Sequence, residues 1–206
     1  MTNINQQLRK YFIMGSQNCD RDPTEILKEA IAGGITAFQY REKGTGSLVG
    51  TAKLELGRKL RDICRKNDVL FFINDDIDLV ETLDVDGIHV GQDDMPIEQI
   101  RMHFPEKIIG LSISNMEEVN QSPIELVDYV GAGPIFTTST KEDAISSVGL
   151  EWIKTLKTKF PLLPIVGIGG INSENAQSVI EAGADGVSVI SAITKAKNIK
   201  EAVKQL

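Results

Sequence analysis

Short apolar runs alternate along the chain with amphipathic stretches, and the two kinds of segment carry different periods. Runs of roughly four to nine residues, rich in Val, Ile and Phe and bounded by Gly, Asn or Asp, read as strands buried on both faces. Eight occur: residues 11–15 (YFIMG), 35–41 (ITAFQYR), 69–74 (VLFFIN), 87–91 (GIHVG), 108–114 (IIGLSIS), 128–136 (DYVGAGPIF), 164–170 (PIVGIGG) and 186–191 (GVSVIS). Helical patterns lie between them. Residues 24–32 place Ile26, Leu27, Ala30 and Ile31 on one face, opened by Asp22 and Pro23. The stretch 48–66 is the longest, and 150–160 and 173–182 are also clear. Shorter patterns cover 77–83, 97–104, 116–121 and 199–206.

Strand and helix alternating eight times over is the pattern of parallel βαβ units. A weak internal repeat agrees: a helix end, then Gly or Asp, then an apolar strand recurs as AIAGGITAF, LDVDGIHV and IEAGADGVSV. The 206 residues give about 26 per unit, near the lower limit of a (β/α)8 barrel. A doubly wound open sheet would call for GxGxxG at its first strand–helix turn, and none is there. The expected fold is a single α/β domain over residues 1–206, a minimal TIM barrel.

Composition narrows the partners. With 41% hydrophobic and 25% charged residues the chain has ordinary globular composition. A net charge of −7 argues against a dedicated nucleic-acid binder or a polybasic membrane binder. Cys19 and Cys64 form no CxxC pair, which excludes a disulfide framework or zinc ribbon and suits a reducing cytosol. The polar start MTNINQQLRK has no signal-peptide core, and no apolar run approaches the roughly 20 residues of a membrane helix. A cytoplasmic location and small-molecule partners are expected, with no nucleic acid or membrane partner and with self-association into a homo-oligomer left open.

In a TIM barrel the chemistry sits at the carboxyl ends of the strands, where inward-facing residues alternate with outward ones. In the second run Gln39, Arg41 and Lys43 share the inward parity of Ile35 and Ala37, while Thr36, Phe38 and Tyr40 face the helices. Two cations beside an amide are costly to hold at the mouth without an anion; an ion-pair layer with Glu42 and neighbouring acids is the alternative. The third run ends in Asn74-Asp75-Asp76 and the fourth in GQDD, with Asp93 and Asp94. Adjacent strands lie about 4.8 Å apart, so carboxylates on these ends can meet. Two of them beside cations suit Mg²⁺, which typically takes one or two carboxylates and leaves the rest to water and phosphate oxygens. Capping of the following helices is the competing role for Asp75 and Asp94, and the preferred one for Asp76.

On the fifth run Gly110, Ser112 and Ser114 face the lumen and leave room there. Glycines 131 and 133 on the sixth allow close approach of another group, and Thr138, Ser139, Thr140 and Lys141 form a polar, cationic loop over the mouth. GIGG on the seventh run and Ser188–Ser191 on the eighth occupy the usual TIM-barrel phosphate position. The mouth thus offers two anion sites: one of metal and cations, one of backbone. His89 reads as a satisfied core histidine, His103 as surface, and Cys64 and Trp152 as packing. Spacing reveals no Ser/His/Asp nucleophile set and no His/Cys metal cluster.

Together these strand ends resemble the thiamine-phosphate synthase family. YFIMGSQN, QYREKG, INDD, GIHVGQDD, GLSIS, GPIFTTSTK, IVGIGGIN and GADGVSVISAI stand in the family's order and spacing over nearly the whole chain. The resemblance implies that Gln39, Arg41, Lys43, Asn74 and Lys141 hold an aminopyrimidine diphosphate, with Tyr40 and Glu42 of the same segment among the substrate-binding residues. It implies Asp75 and Asp94 as Mg²⁺ ligands and Ser112 in the pyrimidine pocket. Thr138 and Thr140, with Ser139 between them, would contact a thiazole phosphate, and Gly170, Ser188, Val189, Ile190 and Ser191 would cradle it. Arg41, Lys43, Lys141 and Ser112 would carry the catalysis. One departure is Thr137, where the family usually has Pro; the change alters backbone freedom and removes no ligand.

The implied reaction joins hydroxymethylpyrimidine diphosphate to a thiazole phosphate, giving thiamine phosphate and diphosphate. A ring nitrogen is the nucleophile, so no general base is required, and departure of diphosphate is the step to be assisted. Two alternatives stay open. One is a relative without transferase activity, a thiazole tautomerase or regulatory protein; the other is a phosphate-binding isomerase or lyase, in which Asp75 and Lys43 would imitate an acid–base pair.

Overall fold

In the computed structural model, which describes residues 4–138 and 146–206, the eight apolar runs become eight parallel strands. These are β1 (Lys10–Met14), β2 (Ala37–Tyr40), β3 (Leu70–Asn74), β4 (Gly87–Val90), β5 (Ile108–Ile113), β6 (Tyr129–Ala132), β7 (Ile165–Ile168) and β8 (Gly186–Val189). Each pairs with the next, and β8 returns to β1 with Tyr11 opposite Ser188, closing the barrel. The TIM-barrel expectation holds. The sixth apolar run extends through residue 136, yet β6 ends at Ala132. Pro134 has no N–H to give a ladder, and Ile135 and Phe136 resume bonding beyond it, to the carbonyls of Ile168 and Gly169 at 2.8 and 3.0 Å.

The helices are α1 (Ile4–Gln7), α2 (Pro23–Gly33), α3 (Gly50–Lys66), α4 (Ile97–His103), α5 (Met116–Gln121), α6 (Leu150–Lys159), α7 (Ala176–Glu181), α8 (Ser191–Thr194) and α9 (Ile199–Lys204). α2 starts as its sequence indicates, with Asp22 accepting from the Thr24 N–H and Pro23 in the first turn. The helix expected over 77–83 shrinks to a 3₁₀ turn, Ile77–Leu79. α7 starts at Ala176, three residues late, because Asn172 and Asn175 fold 172–175 into a turn: Asn175 Oδ1 accepts from Asn172 N and Asn172 Oδ1 from Glu174 N. α1, α8 and the 3₁₀ turns Ser16–Asn18 and Ile124–Leu126 are too short to show a period, so the apolar pattern does not mark them.

Two apolar layers hold the barrel. The outer one joins strands to helices and includes Phe12, Phe38, Phe71, Trp152 and Cys64. Trp152 and Cys64 pack as expected, and the Trp152 indole N–H donates to the Ile113 carbonyl at 3.2 Å. The inner layer fills the lumen with Tyr11, Ile13, Ala37, Phe72, Tyr129 and Val166. Gly87 and Gly110 make its large rings fit. A Cβ on Gly87 would stand 2.3 Å from the Phe72 ring, and one on Gly110 2.1 Å from that of Tyr129. The room expected at Gly110 is therefore taken by the protein itself.

The internal repeat has a physical cause at the amino ends of the strands. Asp86, Asp128 and Asp185 stand immediately before β4, β6 and β8, and each grips the preceding strand at two points. Their backbone N–H groups donate to the carbonyls of Phe71, Ile109 and Ile165 at 2.9, 2.8 and 2.7 Å. Their carboxylates accept from the N–H groups of the same residues at 2.7, 2.7 and 2.9 Å. Thr36, before β2, repeats the device with its hydroxyl on Lys10. Arg61, Arg101 and Lys157 neutralise the three carboxylates at 2.9, 2.7 and 2.9 Å. Four clamps, one per pair of strands, secure the end of the barrel opposite the candidate site.

Candidate active site

The carboxyl ends of the strands open into a cavity of about 310 Å³. Arg41, Lys43, Asn74, Asp75 and Asp94 line one side; Gly169, Ser188, Val189 and Ile190 line another, and Thr138 reaches it from the β6 loop. Ile13, His89, Ser112 and Ile168 close the floor from within the lumen. Most of the strand-end residues singled out in the sequence therefore meet in one place. Ser139, Thr140 and Lys141 lie outside the described residues.

Asp75 leaves β3 in a left-handed backbone conformation, φ 61°, an arrangement that carries strain for a residue with a side chain. The turn is fixed by its N–H on the His89 carbonyl at 3.0 Å and by the Ile77 N–H on its own carbonyl at 2.9 Å. Lys43 Nζ lies 2.5 Å from Asp75 Oδ2 and 3.8 Å from Asp94 Oδ1. Burial, together with the neighbouring Asp94, raises the Asp75 carboxyl to about 6 against the pull of Lys43. Burial works on Asp94 as well, but hydrogen bonds from Asp75 and from the Gly91 N–H at 2.7 Å outweigh it and hold Asp94 below the usual carboxylate range. Burial costs Lys43 some affinity for its proton, and the two carboxylates more than restore it. The ion-pair alternative is thus half met: Lys43 pairs with the aspartates, not with Glu42.

Neither aspartate caps a helix. α4 is capped by Pro96 without a side-chain bond, and Asp94 serves the Gly91 N–H instead. Asp76, expected as a cap, makes no capping bond and pairs with Lys53 of α3. Among the described residues no group of three or more His, Cys, Asp or Glu is placed to hold a metal. Two facing carboxylates are nonetheless the donor set that suits Mg²⁺ when phosphate oxygens and water supply the rest.

Four assigned residues stand apart from the cavity. Tyr40 is fully buried on the outer face of β2, its hydroxyl donating to the Lys53 carbonyl at 2.9 Å, because its parity turns it toward α3. Glu42 fastens two loops: it accepts from Ser16 N at 2.6 Å, Ser16 Oγ at 2.9 Å and Leu48 N at 2.7 Å. Gly170, φ 65°, is pressed by residues 136–137, so that a Cβ there would lie 2.7 Å from the Thr137 carbonyl oxygen. Ser191 opens α8 beside Ile190.

Gln39 faces inward as expected, but one layer below the mouth and only 1% exposed. Its amide donates to Tyr11 Oη at 3.0 Å. Its Oε1 and Ser188 Oγ have no hydrogen-bond partner among the described residues and border a second space of about 10 Å³ under the main cavity.

His89 is buried and satisfied, as expected, yet it is also part of the cavity floor. Its Nε2 lies 2.8 Å from Ser112 Oγ and its Nδ1 2.8 Å from Tyr129 Oη. Its place between Gly87 and Gly91 on the inward parity is the one signal of this in the sequence. Ser114 borders the cavity as its parity with Ser112 indicates; Gln92 and Glu118 border it too, and nothing in their spacing marks them. Gln92 donates to the Ser112 carbonyl at 2.8 Å, and Glu118 accepts from the Ser114 N–H at 2.6 Å.

The arrangement can bind two anionic groups, one among cations and carboxylates and one along backbone, across a polar floor. The family model described as thiamine monophosphate synthase matches residues 10–193. A thiamine-phosphate synthase of Oceanobacillus iheyensis is 65% identical over 97% of both chains. Thiamine-phosphate synthase 1 of Streptococcus pneumoniae is 48% identical over 97% of this chain and 96% of its own. A solved thiamine phosphate pyrophosphorylase from Pyrococcus furiosus superimposes with a TM-score of 0.87 at 36% identity, covering 99% of this chain and 96% of that one. Sequence, fold and strand-end geometry agree, and the chain belongs to the thiamine-phosphate synthase family.

Proposed function

We propose that this chain, a transferase of that family, joins an aminopyrimidine diphosphate to a thiazole phosphate, releasing diphosphate. The observation that carries the assignment of roles is the cluster of Lys43, Asp75 and Asp94 beside Arg41 at one side of the cavity. Asp75 and Asp94 would hold Mg²⁺, and Arg41 and Lys43, with Lys141 assigned from the sequence motif, would take the diphosphate oxygens. When bound, the ion supplies Lewis-acid neutralisation of the leaving group's charge. Arg41 and Lys43 add fixed positive charge where charge develops, which lowers the barrier most in a site partly closed to water.

The pyrimidine fits the floor. Ser112 and His89 offer a polar edge there, and the Ser188 Oγ, which has no hydrogen-bond partner among the described residues and lines the cavity, matches a ligand that brings an N–H donor. The thiazole phosphate would lie against the backbone of Gly169 and of residues 188–190, with Thr138 beside it. Held there, its ring nitrogen faces the carbon that loses diphosphate, and positioning replaces a bimolecular encounter.

The test is a pair of incubations of the purified protein with both substrates, with Mg²⁺ and with excess EDTA, scoring thiamine phosphate and diphosphate. Product with Mg²⁺ alone is expected. Asp75→Ala and Lys43→Ala should each lower the rate by about a hundredfold or more, and near-normal turnover in both would refute these roles.

A further inference from the structure

A single file of hydrogen bonds runs through the lumen beneath the cavity. Gln39 Nε2 donates to Tyr11 Oη at 3.0 Å, and Tyr11 Oη lies 2.9 Å from Tyr129 Oη. Tyr129 Oη lies 2.8 Å from His89 Nδ1, and His89 Nε2 lies 2.8 Å from Ser112 Oγ at the cavity floor. Burial holds both phenols well above their ordinary range, so they remain O–H groups that donate one hydrogen each. An amide nitrogen can only donate. Gln39 can only donate to Tyr11 Oη, and Tyr129 is the one other group that Tyr11 Oη meets among the described residues. The arrangement that uses every hydrogen therefore sends that of Tyr11 to Tyr129, that of Tyr129 to His89 Nδ1, and leaves the His89 proton on Nε2.

We infer that Gln39 is a positioning residue acting through four hydrogen bonds: it sets the polarity of this file, fixes His89 as the Nε2–H tautomer, and so turns the Ser112 hydroxyl hydrogen into the cavity. Ser112 accepts from His89 and donates to an acceptor atom of the substrate. This rests on the proposed site only for what Ser112 meets, an acceptor such as a ring nitrogen of the pyrimidine.

The same wiring has a second consequence. A Ser–His pair at 2.8 Å has the spacing of a nucleophile and its base. Activation of a serine requires a bare imidazole nitrogen toward the hydroxyl and an acceptor behind the ring. Here a phenol hydroxyl that donates stands where the carboxylate would be, and the nitrogen toward Ser112 carries the proton. The pair is wired to present a hydrogen, and Ser112 is not a nucleophile.

The decisive measurement is ¹⁵N NMR of the ligand-free protein labelled at histidine. The chain has two histidines, and the exposed His103 is assigned by its loss in His103→Gln. The expected result is His89 protonated on Nε2 with Nδ1 bare. Protonation on Nδ1, or on both nitrogens, overturns the proposal, and this outcome needs no variant that might fail to fold. Gln39→Glu places a group that accepts where one donated, and should move the proton to Nδ1. In a Tyr129→Phe background, where the file is cut, the same substitution should leave the tautomer unchanged; a shift there would also overturn it.

With substrates, Ser112→Ala and Gln39→Glu should each lower kcat/KM about tenfold, the worth of one hydrogen bond. The double variant should lose little more than either alone. The tautomer is read without substrate. Failure of the transferase assay would leave the file standing, and the wrong tautomer in an active enzyme would remove the file alone.

Discussion

In the proposed site Asp75 sets stability against chemistry in one residue. It holds φ 61°, and burial together with a second carboxylate raises its pKa to about 6. None of this favours folding. Asp75→Gly relieves the backbone and removes the carboxylate repulsion at the cost of the pair with the half-exposed Lys43. It should stabilise the protein by about 1 kcal/mol while abolishing most activity, a trade common at functional sites. Denaturant midpoints of the two proteins test this, and a less stable variant would count against strain at Asp75.

Cys19 gives a pH prediction at the same scale. Burial, and then the nearby Glu42, Asp20 and Asp22, push its thiol up to about 11. Its thiolate fraction at pH 8 is then about a hundredfold below that of an unperturbed thiol near 9. Alkylation should be slow in the folded protein, rise with pH toward 11, and become fast on unfolding; rapid labelling of the native chain at about pH 8 would contradict it.

Among elements, the strands carry more than their length suggests because their ends are tied. Each of β3, β5 and β7 is gripped by the aspartate that precedes its successor, so the link between two strands includes a charge-assisted bond as well as the ladder. The three are not equal. The Asp185 side chain is 15% exposed and also accepts from Asn5 at 3.0 Å, whereas that of Asp128 is 39% exposed. Asp185→Ala should cost about 2–3 kcal/mol by leaving the Ile165 N–H without its acceptor, and Asp128→Ala less, since solvent reaches it. Denaturant midpoints rank the two, and KM for both substrates should stay unchanged in each. The elements also explain what the sequence makes legible. Strand parity is, because alternation on β2 and β5 is a period of two that any buried strand must keep. The short helices are not, since a segment such as Ser191–Thr194 makes a single turn and shows no period.

The whole barrel separates these tasks by its two ends. The clamps lie before the strands and the cavity after them, and rigid parallel strands stand between. Disturbances at opposite ends should therefore add. The stability change of the double variant Asp185→Ala/Asp75→Gly should equal the sum of the single changes within about 0.5 kcal/mol, and a larger coupling would show that the two ends communicate. The closed sheet also gathers residues from distant parts of the chain. Lys43, Asp75 and Asp94 come from three strand ends, and the floor file takes one residue from each of β1, β2, β4, β5 and β6.

What the chain determines locally could be read locally. Apolar period, glycine and aspartate boundaries and residue parity are properties of neighbours in sequence, and they specified eight strands, their inward faces and the strand ends that border the cavity. What required the closed barrel was register, because only pairing across strands decides which inward residues share a layer. Register put Gln39 below the mouth, gave Gly110's space to Tyr129, and handed Asp76 to Lys53 and Asp128 to Arg101. It also turned His89 from a core residue into the link between Ser112 and the buried phenols.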